Sequence, residues 1–249
     1  MQYALGNMLG NSRALARADL LNGLVAYWKL EEASGTRYDS HGSYDLTENV
    51  GIDSGVGVQG NCAISNSEYD DNRSLYITPA PYDSVDSSWS LSFWMSTNGE
   101  QEAIQMFPNA WGNCCLFTIV TIDGDLKVFG QVWVDGQDGG IFTDVSKSGV
   151  YEGGFVHVVI THDLSTKTIC VYYDGVKEHE FVYINSLNSV SGTGTYENTI
   201  LSMFAGDYFG TGYASPGKMD EVGIWNRPLK PSEISALYNN GNGITYEDF

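Results

Sequence analysis

The chain has 249 residues, with 12 Lys+Arg against 31 Asp+Glu for a formal net charge of −19. With 42% hydrophobic and 13% aromatic residues it can bury a substantial core, so the acidity is not a mark of disorder. A field this negative excludes nucleic acid and bare anionic membrane as partners and leaves basic surfaces and divalent cations.

The first 22 residues stand apart. Residues 1–22 hold Arg13, Arg17 and Asp19, net +1, so the remainder is net −20. Ser12 can cap a short helix running to Leu21, with Asn22-Gly23 as its stop. A helix this short is not stable alone in water, so it must dock on the body or on another chain. Leu5, Met8, Leu9, Arg13, Leu15 and Arg17 are the expected anchoring residues of this arm, which is read as an anchor or an oligomerisation segment. No basic start followed by an unbroken apolar run is present, so the segment does not read as a signal peptide.

From Gly23 onward, apolar runs of strand length alternate with turn residues. Leu24, Ala26, Trp28 and Leu30 are expected on one face of the first run. Trp89, Leu91, Phe93 and Met95 share another face, with Ser90, Ser92 and Ser96 turned away. Phe155–His162 is apolar on both faces, as a strand between two layers would be. Asp174-Gly175 supplies a hairpin turn into the run at 176–184, and Asp123-Gly124 a second one. One helix is expected near the end: Pro231 at its first position, Glu233 in its first turn, Ile234, Leu237 and Tyr238 as its apolar stripe, and Asn239-Asn240-Gly241 as its stop. Residues 23–249 show neither a linker nor an internal repeat and read as one domain. Cys62, Cys114, Cys115 and Cys170 lack metal-type spacing and are expected as buried, reduced thiols.

Several blocks resemble a known family. Gly23–Gly35 (GLVAYWKLEEASG) followed by Tyr38–Gly42 (YDSHG) looks like the opening of laminin-G-like, concanavalin A-like jelly-roll domains. Trp89–Met95 (WSLSFWM) is similar to the family's "fTisaWv" strand. Phe155–Asp163 (FVHVVITHD) with Ile169–Val176 (ICVYYDGV) is similar to its "wHHvavtyD … lYvDGv" hairpin. Lys218–Leu229 (KMDEVGIWNRPL) with Glu233–Tyr238 (EISALY) resembles its closing signature. The blocks run in order over nearly the whole body. Lys230 replaces the usual Ser cap, and Gly223 stands where a larger residue is common. The resemblance implies an all-β, two-sheet antiparallel jelly-roll sandwich, with a short helical arm before it and a short helix at its end. It leaves function open, because the fold serves lectins, glycosidases, adhesion modules and spacers alike.

Candidate sites divide by chemistry. Neither E-x-D-x-x-E nor E-x-D-x-E occurs, so no paired-carboxylate glucanase motif is present, and an enzyme is not expected. Glu178-His179-Glu180 reads as a solvated strand edge. His157 and His162 are five positions apart, hence on opposite faces of one strand. A Ca²⁺ site is expected from Asp39 and Asp220, with Glu221 or Glu32 assisting. Asp220 is placed on the face of Val222 and Ile224, where a carboxylate needs a partner. The alternative is that Asp220 accepts backbone hydrogen bonds while Asp39 caps its own turn. A sugar site is expected in three loops, 107–112, 135–142 and 206–213, with Asn109, Trp111, Asp207, Tyr208 and Tyr213 as its residues. The same rings could instead seal the sandwich ends or meet another chain.

Together these features lead to an expected non-enzymatic virion component, a phage head-decoration or tail-associated protein that displays a lectin-like jelly roll toward glycans. Its arm would hold other virion proteins or a second copy. A free or exported lectin and a divergent glycoside hydrolase are the alternatives.

Overall fold

The computed structural model describes residues 17, 19–66, 73–77, 79, 81, 87–96, 102–106, 116–122, 125–134, 137–141, 145–147, 154–182, 201–204 and 216–249, with 102–147 described by backbone pairing. The strands are β1 (Leu24–Trp28), β2 (Thr47–Glu48), β3 (Asp53–Val56), β4 (Asn61–Ser65), β5 (Leu75–Ile77), β6 (Trp89–Ser96), β7 (Glu102–Met106), β8 (Leu116–Ile122), β9 (Asp125–Val134), β10 (Gln137–Ile141), β11 (Val145–Lys147), β12 (Val156–Asp163), β13 (Thr168–Tyr173), β14 (Val176–Val182), β15 (Leu201–Met203) and β16 (Gly217–Trp225). One helix, α1 (Pro231–Tyr238), follows them.

All pairings between the strands are antiparallel. An eight-stranded sheet runs β14-β13-β12-β6-β16-β4-β3, with β1 also on β16. A five-stranded sheet runs β10-β9-β8-β7 with β11 on β9, and a three-stranded one runs β15-β5-β2. The three-stranded set meets β7 through β15, which joins the two smaller sheets into one layer. The main core lies between this layer and the eight-stranded sheet: Trp28, Leu91, Phe93, Val158, Ile160, Val222 and Ile224 from one side, Leu75, Leu201, Met203 and Phe204 from the other. This is the jelly-roll sandwich the alternating runs require, because a sheet with one apolar face must bury it on another layer.

The central strands β1, β6, β12, β13 and β16 of the eight-stranded sheet are also buried on their outer face, whereas β14 and β3 are exposed or half-buried. A second cluster joins Leu20, Tyr27, Val159, Tyr172 and Trp225 to Leu229, Ile234, Leu237 and Ile244 of the helix and C-terminal segment. β12, buried along Val156–His162, is therefore the strand between two layers. The serines of β6 face this second layer. Ser90 Oγ donates to the Arg227 carbonyl at 2.9 Å and accepts the Leu229 N–H at 2.8 Å, which ties the approach to α1 onto the sheet. Glu233 anchors the helix start. It is fully buried, takes Arg227 bidentately at 2.7 and 2.9 Å and accepts the Lys230 backbone N–H at 2.6 Å. This reach-back by the third helical residue substitutes for a Ser cap. The helix ends where Asn239 and Asn240 enter the left-handed region, as the Asn-Asn-Gly stop predicts.

The Asp174-Gly175 turn is a two-residue hairpin with both residues at positive φ, and Ile122 pairs with Asp125 to close the β8–β9 hairpin. Cys62 and Cys170 are free and buried. Cys114 and Cys115 lie outside the described residues.

Two side-chain placements differ from the period-2 reading, each because of a bulge. In β1 the register against β16 shifts between Leu24 and Ala26, so Leu24 joins the helix-side cluster while Ala26 and Trp28 face the main core. In β16 the register against β6 shifts between Asp220 and Gly223, with Glu221 at φ 49°. The expectation that Asp220 shares a face with Val222 and Ile224 is thus corrected. Met219 faces the main core, and Asp220 and Glu221 both take the outer side, since a bulge lets consecutive residues share a face.

Candidate functional site

The bulge places two carboxyls side by side beneath the second layer. Asp220 is fully buried and its Oδ2 accepts the N–H groups of Val58 at 2.7 Å and Gln59 at 3.1 Å. It thereby pins the tight turn between β3 and β4, which closes by a Gly57 N–H to Gly60 carbonyl bond of 3.1 Å. Gly57 is required here, because a Cβ would sit 2.4 Å from Asp220 Oδ2. Glu221 accepts the Tyr27 hydroxyl. Burial pushes the Asp220 carboxyl up to about 7, against the backbone N–H groups that favour its ionised form. Burial also pushes Glu221 up to about 8, opposed by the Tyr27 hydrogen bond and reinforced by Asp220.

Asp39 lies elsewhere. Trp28 pairs with Asp39 on one side and with Val222 on the other, so β1 stands between Asp39 and β16. Its Oδ1 accepts the N–H groups of Tyr27 and His41, both at 2.9 Å, and its Oδ2 accepts Tyr44 N–H at 3.0 Å. Glu32 accepts the Tyr38 N–H at 2.9 Å. Asp39, Asp220 and Glu221 therefore do not converge, and among the described residues no three His, Cys, Asp or Glu side chains gather as a metal cluster. A Ca²⁺ ion needs about six to eight oxygens, which the adjacent pair of β16 does not supply. The residues present do not fit the expected calcium site.

Beside the pinned turn lies a cleft of about 480 Å³ lined by Gln59, Trp94, Phe155, Asp174, Tyr238 and Asn242, with Val58 and Gly241 completing it. Trp94 is the aromatic residue on the serine face of β6. Its ring stacks on Tyr238 at 5.8 Å and 23°, and packs on His157 at 4.9 Å. His157, buried beneath, meets Ser92 Oγ at 2.9 Å through Nε2, and burial holds its imidazole down to about 3. The hairpin brings in Asp174, whose Oδ1 accepts the His157 N–H at 3.0 Å. The Gln59 side-chain amide donates to the Asn242 carbonyl, and Asn242 Nδ2 donates to the Asn239 carbonyl at 3.1 Å. Each amide nitrogen thus gives one N–H to a backbone carbonyl and keeps a second N–H, beside the side-chain oxygen, for other partners.

The sequence reading did not find this cleft. Its signal was Trp94, a large ring among serines on a face read as turned away from the core. The loop residues it did name, Asn109, Trp111, Asp207, Tyr208 and Tyr213, lie outside the described residues. So do Leu5, Met8, Leu9, Arg13 and Leu15 of the arm, whereas Arg17 accepts the Leu20 N–H at 3.0 Å through its carbonyl. Glu178 and Glu180 fall on β14, the last strand on one side of the eight-stranded sheet. Both are exposed there, as a solvated edge requires. His157 and His162 take opposite faces, the second packing on Trp89.

The concanavalin A-like lectin/glucanases superfamily matches residues 70–235. The chain belongs to this superfamily. No curated protein sequence matches it. Among solved structures, this concanavalin A-like chain is similar to the binding domain of Paraclostridial Mosquitocidal Protein 1, with 19% identity and a TM-score of 0.63 over 89% of this chain and 53% of that one. It is also similar to the ligand binding domain of Botulinum neurotoxin serotype D in complex with N-acetylneuraminic acid, with 11% identity and a TM-score of 0.61 over 90% and 52%. Domain 4 of AbnA, a GH43 extracellular arabinanase from Geobacillus stearothermophilus, in complex with arabinotriose, has 19% identity and a TM-score of 0.55 over 85% and 96%. The chain thus spans about half the length of the two toxin domains and nearly the whole arabinanase domain. At these identities the likeness establishes the fold.

Proposed function

We propose that this chain is a non-catalytic, glycan-binding jelly-roll module whose site is the cleft between the turn at Val58–Gln59, the Asp174 hairpin and the end of α1. The composition of the cleft carries the reading. Aromatic rings from three elements, β6, the lead into β12 and α1, stand beside two side-chain amides and one carboxylate. Sugars offer apolar ring faces to such rings and hydroxyls to such polar groups. Two of the similar solved domains hold saccharides, which supports the class of ligand. Asp174 is the one carboxylate lining the cleft among the described residues, whereas hydrolysis of a glycosidic bond ordinarily needs a pair. A glycan array tests the reading: binding reduced by Phe155→Ala supports it, and a blank array removes it.

The finer role, display on a virus particle through the arm, rests on the charge division between residues 1–22 and the body. Its test is whether the protein copurifies with virions, and whether a truncated form still does. The truncation has to stop at residue 16. Leu20 is fully buried in the second cluster, its carbonyl accepts Trp225 Nε1–H at 2.6 Å, and the Asp19 and Asn22 carbonyls accept Arg227 at 2.9 and 2.6 Å. Removal of 1–16 is expected to abolish incorporation and leave a folded chain. Normal incorporation of that form would show that the arm is not the anchor.

A further inference from the structure

We infer that the cleft is built for an uncharged saccharide and discriminates against anionic ones such as sialylated or uronic acid sugars; this rests on the glycan-binding reading above and narrows it. The one charged group lining the cleft among the described residues is an anion, and the rest of its polar lining is neutral. Asp174 brings a carboxylate, and the amides of Gln59 and Asn242, each with one N–H on a backbone carbonyl, add uncharged donors and acceptors. Sugar hydroxyls both donate and accept, and match such a set without bringing a charge. A sugar carboxylate is acceptor-only and would enter beside the Asp174 carboxylate, with no Lys or Arg on the described lining to compensate its lost hydration.

No Lys or Arg lines the cleft among the described residues. Lys218 is close by, with Nζ 6.0 Å from the centroid of the Phe155 ring, but it is engaged over that ring rather than placed on the lining. Residues 23–249, which form the cleft, are net −20, which repels anionic ligands further at low salt. The aromatic part selects for shape rather than charge. Trp94 is almost fully buried and serves as backing for Tyr238, while the half-buried rings of Tyr238 and Phe155 are the surfaces left for a pyranose or furanose face. The cleft volume of about 480 Å³ is within the usual range for small-molecule sites and suits one or two sugar units.

The test is calorimetric titration of the full chain with matched pairs: lactose against sialyllactose, and oligogalactosides against oligogalacturonides. The neutral member of a pair is expected to bind at least about tenfold more tightly than its anionic partner. Asn242→Ala, at an exposed position, and Phe155→Ala are each expected to weaken the neutral ligand severalfold, whereas Lys218→Ala leaves it unchanged. Circular dichroism melting confirms that the variants are folded. Tighter binding of the anionic member, lost in Lys218→Ala, would overturn the inference while leaving glycan binding standing. Neutral binding indifferent to both cleft variants would overturn the placement of the site. Absence of binding to any saccharide, on these pairs and on an array, would remove the broader reading as well.

Discussion

At Gly223 a single missing atom matters. A Cβ there would lie 2.5 Å from Trp225 Cη2 and 2.9 Å from Tyr27 Cδ2, two rings of the helix-side cluster. The sequence showed Gly223 only as a departure from a familiar pattern; the reason is the space these rings occupy. Gly223→Ala is expected to cost about 1–3 kcal/mol through overpacking, more than any gain from a stiffer unfolded chain. A lowered urea midpoint at unchanged slope would confirm it, and an unchanged midpoint would mean the rings can yield. Trp94 teaches the complementary lesson. Its place on the polar face of β6 was readable from alternation, but its role was not, because Tyr238 and His157 reach it from 144 and 63 residues away.

At the scale of elements, α1 shows local and distant chemistry meeting. Its start at Pro231, its apolar stripe and its stop at Asn239 follow from neighbouring residues. What holds it to the sheet does not. Arg227 joins Glu233 bidentately and also grips the carbonyls of Asp19 and Asn22 from the other end of the chain. Removing one partner of a buried ion pair leaves the other uncompensated, so Arg227→Ala is expected to destabilise by roughly 3–5 kcal/mol. Amide exchange over Asp19–Asn22 and α1 should accelerate together in that variant. Exchange unaltered at Asp19–Asn22 would show that Trp225 and Leu20 hold the segment unaided. The strands follow the same division. β6, β12, β13 and β14 stand where the alternating runs and the Asp-Gly turn put them. In β1 and β16, a bulge reverses the facing of Leu24 and Asp220, and no local residue pattern announced it.

For the whole molecule, the buried titratable groups set the pH response. The folded chain holds its protons on Asp220 to about 7 and on Glu221 to about 8, against ordinary values of 3.8 and 4.5. Raised acids contribute stability that is full below the unfolded values and lost as pH rises through the folded ones. His157 acts in the other direction. Its value of about 3 against 6.5 gives a contribution that is full above 6.5 and lost as pH falls toward 3. Burial lowers the His162 imidazole in the same sense. Above about pH 6.5 both imidazoles are neutral folded and unfolded alike, so from there to about pH 8.5 the two acids decide and the urea midpoint is expected to fall. Asp220→Asn, which keeps an oxygen for the Val58 and Gln59 N–H groups, should flatten the decline. A midpoint that rises with pH would contradict the assignment. Calcium at millimolar concentration is expected to leave the melting temperature unchanged, since Asp39 is engaged by three backbone N–H groups and cannot join the β16 pair. A rise in the presence of calcium, reversed by chelation, would restore Asp220 and Glu221 as ligands.

The amino-acid order by itself determined the all-β class, the strands with strong alternation, the hairpin turns and the terminal helix, because each depends on residues within a few positions of one another. Only the tertiary structure decided that the burial on both faces legible in the β12 run extends to β1, β6, β13 and β16. It likewise decided that two bulges redirect Leu24 and Asp220, and that Gln59, Trp94, Phe155, Asp174, Tyr238 and Asn242 share one cleft. The physical reason is distance along the chain. Alternation reports which face a side chain takes in an undisturbed strand, but a bulge is fixed by the partner strand. A cleft assembled from a turn, a hairpin and a helix end exists only once long-range pairing has brought them together.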